Sequence, residues 1–132
     1  LERQIVERTV DHDQDVVYCG ERGALVAHVR RGIVQGMSLF ELERSSEDAA
    51  SCSRFLLSHY ASQCPKELIV NCVDDPQAVA QALSMANGTA IQITVPYSGV
   101  AYELLELCER NYIYRMFGVG GTTDRGRMTN NE

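Results

Sequence analysis

Hydrophobic and polar positions follow two different rhythms along this chain, and the change between them predicts its organisation. From Val16 the apolar residues fall in short, β-branched runs broken by turn residues: Val16-Val17-Tyr18-Cys19, then Ala24 to Val29, then Ile33 to Leu42, separated by Glu21-Arg22-Gly23 and Arg31-Gly32. Runs of this length bounded by Gly predict an antiparallel three-strand meander with tight hairpins. Gly36, inside the third run, predicts a bulge.

The period then lengthens. After Ser45 or Ser46, either of which suits an N-cap, Cys52, Phe55, Leu56, His59 and Tyr60 recur at i, i+3, i+4, i+7 and i+8, which predicts an amphipathic helix ending near Cys64-Pro65. The run from Leu68 to Val73 reads as a strand buried on both faces. A second helix opens with Asp75 as cap and Pro76 in its first turn, buries Val79, Ala82, Leu83 and Ala86, and stops at Asn87-Gly88. Ala90 to Val95 alternates as a strand, Ser98 to Glu109 reads as a third helix, and the aromatic stretch from Tyr112 to Val119 reads as a last strand. The order βββ-α-β-α-β-α-β predicts an α/β class with a mixed sheet covered by helices. The expected division is an N-terminal helix or loop over 1–14, a single α/β domain over 15–119 and a flexible, glycine-rich tail over 120–132.

Composition adds limits to this picture. With 132 residues, 45% of them hydrophobic and 23% charged, the chain has globular proportions and room for one core. It begins at Leu1 rather than Met, so we expect a fragment of something longer. No run of 18 apolar residues is present, and a membrane-crossing helix is not expected. The net charge is −6, and the 12 basic residues are scattered, with Arg30-Arg31 as the one adjacent pair. On that basis nucleic acid is not an expected partner, because the basic footprint for a phosphate backbone is missing. Five cysteines without a Cys-x-x-Cys pair predict reduced thiols, a cytoplasmic location and no metal site.

Candidate chemistry is sparse. Asp11-His12-Asp13 reads as a solvated loop, since three adjacent side chains do not converge on one ion. His28, His59 and Tyr60 fall on positions expected to pack. The pairs Glu47/Asp48 and Asp74/Asp75 stand at predicted helix starts, where acidic groups stabilise the dipole. P-loop, Gly-x-Ser-x-Gly and His-Glu-x-x-His motifs are absent, and Gly118-Val119-Gly120-Gly121 lacks the following helix that a dinucleotide site needs. Tyr97-Ser98-Gly99 lies at a strand-to-helix turn, where backbone N–H groups suit an anion. Tyr97, Tyr102 and Tyr112 are the candidate acids for catalysis, and together with Tyr114 they also suit an interface.

The meander, helix, strand, helix and strand, with Val73-Asp74-Asp75-Pro76 to Leu83, Ile91 to Pro96 and Ala101 to Tyr112, resemble the GNAT acyltransferase fold from its second strand onward. The resemblance implies acetyl-CoA as cofactor wherever the fold is catalytic. Glu43 to Ala50, in the place of that family's pyrophosphate loop, has no glycine. The expectation is therefore a non-catalytic GNAT-like domain with no cofactor, engaged with a protein partner or a second copy as part of a larger assembly. A divergent acyl-CoA-dependent N-acetyltransferase and a small-molecule-sensing regulatory domain are the alternatives.

Overall fold

The computed structural model describes residues 11–42 and 49–118. Residues 1–10 of the N-terminal helix or loop expected over 1–14, the expected Ser45 or Ser46 cap and the tail expected over 120–132 lie outside the described residues.

Five strands form one mixed sheet: β1 (Gln14–Cys19), β2 (Gly23–Arg30), β3 (Ile33–Glu41), β4 (Glu67–Val70) and β5 (Gln92–Thr94), in the spatial order β3-β2-β1-β4-β5. The meander is as the turn residues predicted. β1 pairs antiparallel with β2, and β2 with β3, while β4 joins β1 and β5 joins β4 in parallel. Arg31 and Gly32 both take positive φ, 57° and 78°, in the two-residue β2–β3 hairpin, the geometry that matches the twist of antiparallel strands. The predicted bulge is present. His28 pairs with Gly36 and Val29 with Val34, leaving Gln35 as the extra residue.

Among the described residues three helices cover the sheet: α1 (Ala49–His59), α2 (Pro76–Asn87) and α3 (Gly99–Phe117). Strand alternation sends successive side chains to opposite faces, so the sheet has two cores. On one face Val17, Val26, Leu68 and Val70 meet Cys52, Leu56 and Tyr60 of the α1 region and Val79 and Leu83 of α2. On the other, Val16, Leu25, Ala27 and Ile69 meet Leu105, Cys108 and Tyr112 of α3. β1, β2 and β4 are thus enclosed from both sides, which explains their near-continuous apolar sequences.

Helix α2 follows its sequence signals closely. The Asp75 side chain accepts from the Ala78 N–H, Pro76 sits in the first turn, and Gly88 closes the helix at φ 70°. The last expected strand is corrected. Tyr112 lies inside α3, which runs unbroken for 19 residues to Phe117. Ala101, Leu104, Leu105, Cys108 and Tyr112 keep one stripe against the sheet, and that continuing 3.6-residue period overrides the strand preference of the aromatic side chains.

Candidate functional site

Polar groups converge at the end of the sheet where β1 and β4 begin and β2 ends. The register sets Asp15 opposite His28 and beside Leu68. Asp15 is the one acidic residue of β1, and at 2% exposure it is buried. Its carboxylate is fully engaged. Oδ1 accepts from Arg30 at 3.2 Å and lies 3.1 Å from His28 Nδ1, and Oδ2 accepts from the Tyr60 hydroxyl at 2.7 Å. Arg30 also donates to the carbonyls of Gln14 and Val29 and faces Asp13 at 3.4 Å. Burial, with the Asp15 charge beside it, pushes the Tyr60 phenol well above its ordinary range, so the hydroxyl stays protonated and donates. A cavity of about 310 Å³ opens over Asp15, His28, Arg30 and Tyr60.

A second cluster stands on β4. Glu67 accepts from Gln14 at 2.9 Å and Thr94 at 2.6 Å, and its Oε1 lies 2.8 Å from His12 Nε2. Burial alone would raise the Glu67 carboxyl, but the bonds from Thr94, His12 and Gln14 outweigh it and hold the carboxyl below its ordinary 4.5. A group depressed in the folded state contributes stability above its unfolded pKa and loses that contribution as pH falls through the folded one. Glu67→Gln should therefore cost about 1–2 kcal/mol at neutral pH. The difference from wild type should shrink as pH falls below the ordinary carboxylate value, as denaturant melts at several pH values will report.

A cavity of about 440 Å³ beside this cluster is lined by Asp11, His12, Asp13, Cys64, Pro65, Lys66 and Thr89. His12 and Asp13 are turned to Glu67 and Arg30, respectively. Among the described residues no group of three His, Cys, Asp or Glu side chains is placed to hold a metal ion.

The tyrosines proposed from sequence do not converge. Tyr97 is 87% exposed in the β5–α3 turn, with Ser98 capping by position only and Gly99 at φ 87°. Tyr102 is on the outer side of α3, 40% exposed. Tyr112 is buried, its hydroxyl accepts from the Arg22 N–H at 2.8 Å, and its ring packs on Tyr18 and over Gly20. It is a packing residue. The group that sequence reasoning missed is Asp15, hidden in the polar run from Asp11 to Asp15. The available signal was its place one residue before Val16-Val17, where the strand alternation sets in.

Comparison with known proteins corrects the family. The model described as the UvrC Ribonuclease H-like domain matches residues 13–115. The UvrABC system protein C of Clostridium beijerinckii is 30% identical over 118 residues, covering 83% of this chain and 19% of its own length. That of Trichormus variabilis is 29% identical over 105 residues, covering 76% and 17%. The chain thus spans under a fifth of the length of these curated relatives. Among solved structures, a Bacteroides thetaiotaomicron protein with an actin-like ATPase fold and unknown function aligns at a TM-score of 0.45 and 13% identity, over 81% of this chain and 42% of that one. The acyltransferase resemblance is overturned by the family match, and with it the GNAT-like interaction domain, the acetyltransferase alternative and the ground for acetyl-CoA. Its evidence was a strand, an Asp-Pro-capped helix and a strand, local grammar that unrelated α/β folds share.

Proposed function

Because the chain belongs to the UvrC ribonuclease H-like domain family, we propose that it is a domain of a DNA-repair protein of the UvrABC system protein C kind, and that it serves there as a non-hydrolytic unit. The observation that carries this reading is the family match across residues 13–115, nearly the whole described fold.

Phosphodiester cleavage on a nuclease fold commonly relies on two metal ions about 3.5–4 Å apart, held by carboxylates with free oxygens. Among the described residues, Asp15 and Glu67 do not fit that group. Asp15 is consumed by Arg30, His28 and Tyr60, and Glu67 by His12, Gln14 and Thr94. A carboxylate closed off by a guanidinium and a phenol is a structural strut, and we assign no hydrolytic step to it.

On this reading the partners are the other proteins of the repair system and the DNA they act on. Nucleic acid, set aside on net charge, returns as a partner, because net charge sums the whole surface while recognition depends on local patches. The system's work on DNA also implies a cytoplasmic location. No described helix is long and apolar enough to cross a membrane.

A survival assay tests the proposal. In a bacterium that lacks its own protein C, the full-length protein carrying this chain should restore survival after ultraviolet irradiation, and removal of residues 13–115 should abolish the rescue. Rescue by neither form, or by both equally, would contradict it.

A further inference from the structure

Helix α3 has apolar residues on two sides. One stripe, Leu105, Cys108 and Tyr112, is packed beneath the sheet. At the C-terminal end a second stripe faces outward: Arg110, Ile113, Tyr114 and Phe117, spaced i, i+3, i+4 and i+7 and all exposed. Side chains at that spacing stand in one row. Tyr114 is 65% and Phe117 56% exposed. The guanidinium of Arg22, from the β1–β2 turn, lies 5.9 Å over the Phe117 ring, and the Arg22 backbone is tied to the Tyr112 hydroxyl. Arg115, one residue beyond Tyr114, donates to the Met37 carbonyl at 3.4 Å.

The arginines of this corner are not neutralised by described carboxylates. Among the described residues Arg22, Arg110 and Arg115 have no carboxylate within 4.0 Å, whereas Arg30 is held by two. The exposed Tyr114 ring, with a Phe117 ring under the Arg22 guanidinium and arginines that have no described carboxylate partner, matches the two features of a single strand, bases with accessible faces and phosphates at their side. The row from Arg110 to Phe117 rises about 10 Å, the length of about three stacked bases. A duplex keeps its base faces inside the stack and offers nothing to the rings.

We infer that the C-terminal half of α3, together with Arg22, is a contact surface for single-stranded nucleic acid. This rests on the repair-domain reading and names the partner that one face of the domain would meet. With a net charge of −6 and Glu21 and Glu109 nearby, long-range attraction is small. Affinity comes from stacking and two or three phosphates, so log K should fall with log salt at a slope of about −2.

The test is fluorescence anisotropy of a labelled oligothymidylate of about 12 nucleotides, titrated with the full 132-residue chain at low salt, beside a duplex of the same length. Saturable binding of the single strand is expected, with Tyr114→Ala and Phe117→Ala each weakening it roughly fivefold or more. Arg110→Ala should flatten the salt slope by about 0.7. All three side chains are exposed, so the variants should melt cooperatively near wild type. No saturation at millimolar chain, affinity unchanged by the substitutions, or an equal preference for duplex would each overturn the inference. The Tyr114→Ala/Phe117→Ala pair in the full-length protein separates this failure from that of the repair reading. Ultraviolet survival like wild type with that pair, but lost on removal of 13–115, leaves the repair domain standing and discards the surface. A variant pair that instead loses capture of another protein of the repair system, with oligothymidylate binding intact, assigns the face to protein docking and also overturns the inference.

Discussion

Replacement of Asp15 by Ala is expected to destabilise the domain by about 3 kcal/mol. The Tyr60 hydroxyl, buried with its ring, would lose its acceptor at 2.7 Å, and an unsatisfied buried donor costs about 1–3 kcal/mol. Arg30 would lose its nearest carboxylate but keep its bonds to the Gln14 and Val29 carbonyls. Its side chain is about one-third exposed, so water takes up part of the charge and the loss is smaller than for a sealed ion pair. For a domain of this size, a loss of about 3 kcal/mol lowers the melting temperature by roughly 11–14 °C. Tyr60→Phe should cost less, because Asp15 keeps Arg30 and His28. The double variant should cost less than the sum of the singles, since each removes the same bond. Thermal melts of the four proteins close the cycle.

Gly20→Ala is expected to have a comparable effect for a steric reason. A Cβ at Gly20 would fall 2.4 Å from Cζ, 2.5 Å from Cε2 and 2.7 Å from Oη of Tyr112. The ring cannot yield freely. Its hydroxyl is bonded to the Arg22 N–H, and its ring meets Tyr18 at 5.4 Å, tilted, and Phe117 at 6.1 Å, edge-on, between centroids. Turning it aside breaks that bond and opens a void between α3 and the sheet, at about 2–3 kcal/mol. The clash has one partner, so Gly20→Ala should cost under about 1 kcal/mol when placed on Tyr112→Leu. A similar loss on both backgrounds would mean that the glycine serves the turn and not the ring.

Much of this architecture is legible in the sequence because it depends on short-range rules. The Arg31-Gly32 hairpin, the bulge beside Gly36, and the Asp75-Pro76 start and Gly88 stop of α2 each follow from what one or two residues permit in φ and ψ. The end of α3 was harder to read because two local signals conflict there. Tyr112, Ile113, Tyr114 and Phe117 favour a strand by side-chain type, yet Leu105, Cys108 and Tyr112 keep the helical period against the sheet, and tertiary packing decides.

The polar site was less visible for a different reason. Asp15 closes a run of charged and polar residues that has the composition of a loop, and its partners His28, Arg30 and Tyr60 are 13, 15 and 45 positions away. Strand register, not sequence proximity, brings them together. The arginines at the α3 corner were hidden by averaging. A chain with a net charge of −6 still sets the Arg22 guanidinium over the Phe117 ring and leaves Arg110 and Arg115 without a carboxylate partner among the described residues, and no composition statistic records such a grouping.

In the proposed function Asp15 is a strut and not a metal-binding carboxylate. The most direct test of that role is lesion-specific incision of a damaged duplex by the full-length protein carrying this chain, assembled with the other repair proteins, for wild type and Asp15→Asn, each assayed well below its melting temperature. Asn keeps the shape and an acceptor for Tyr60, so incision within about threefold of wild type is expected. A carboxylate that held a catalytic metal would not tolerate the change, and a drop of about a thousandfold or more in incision rate with the fold intact would contradict the central claim.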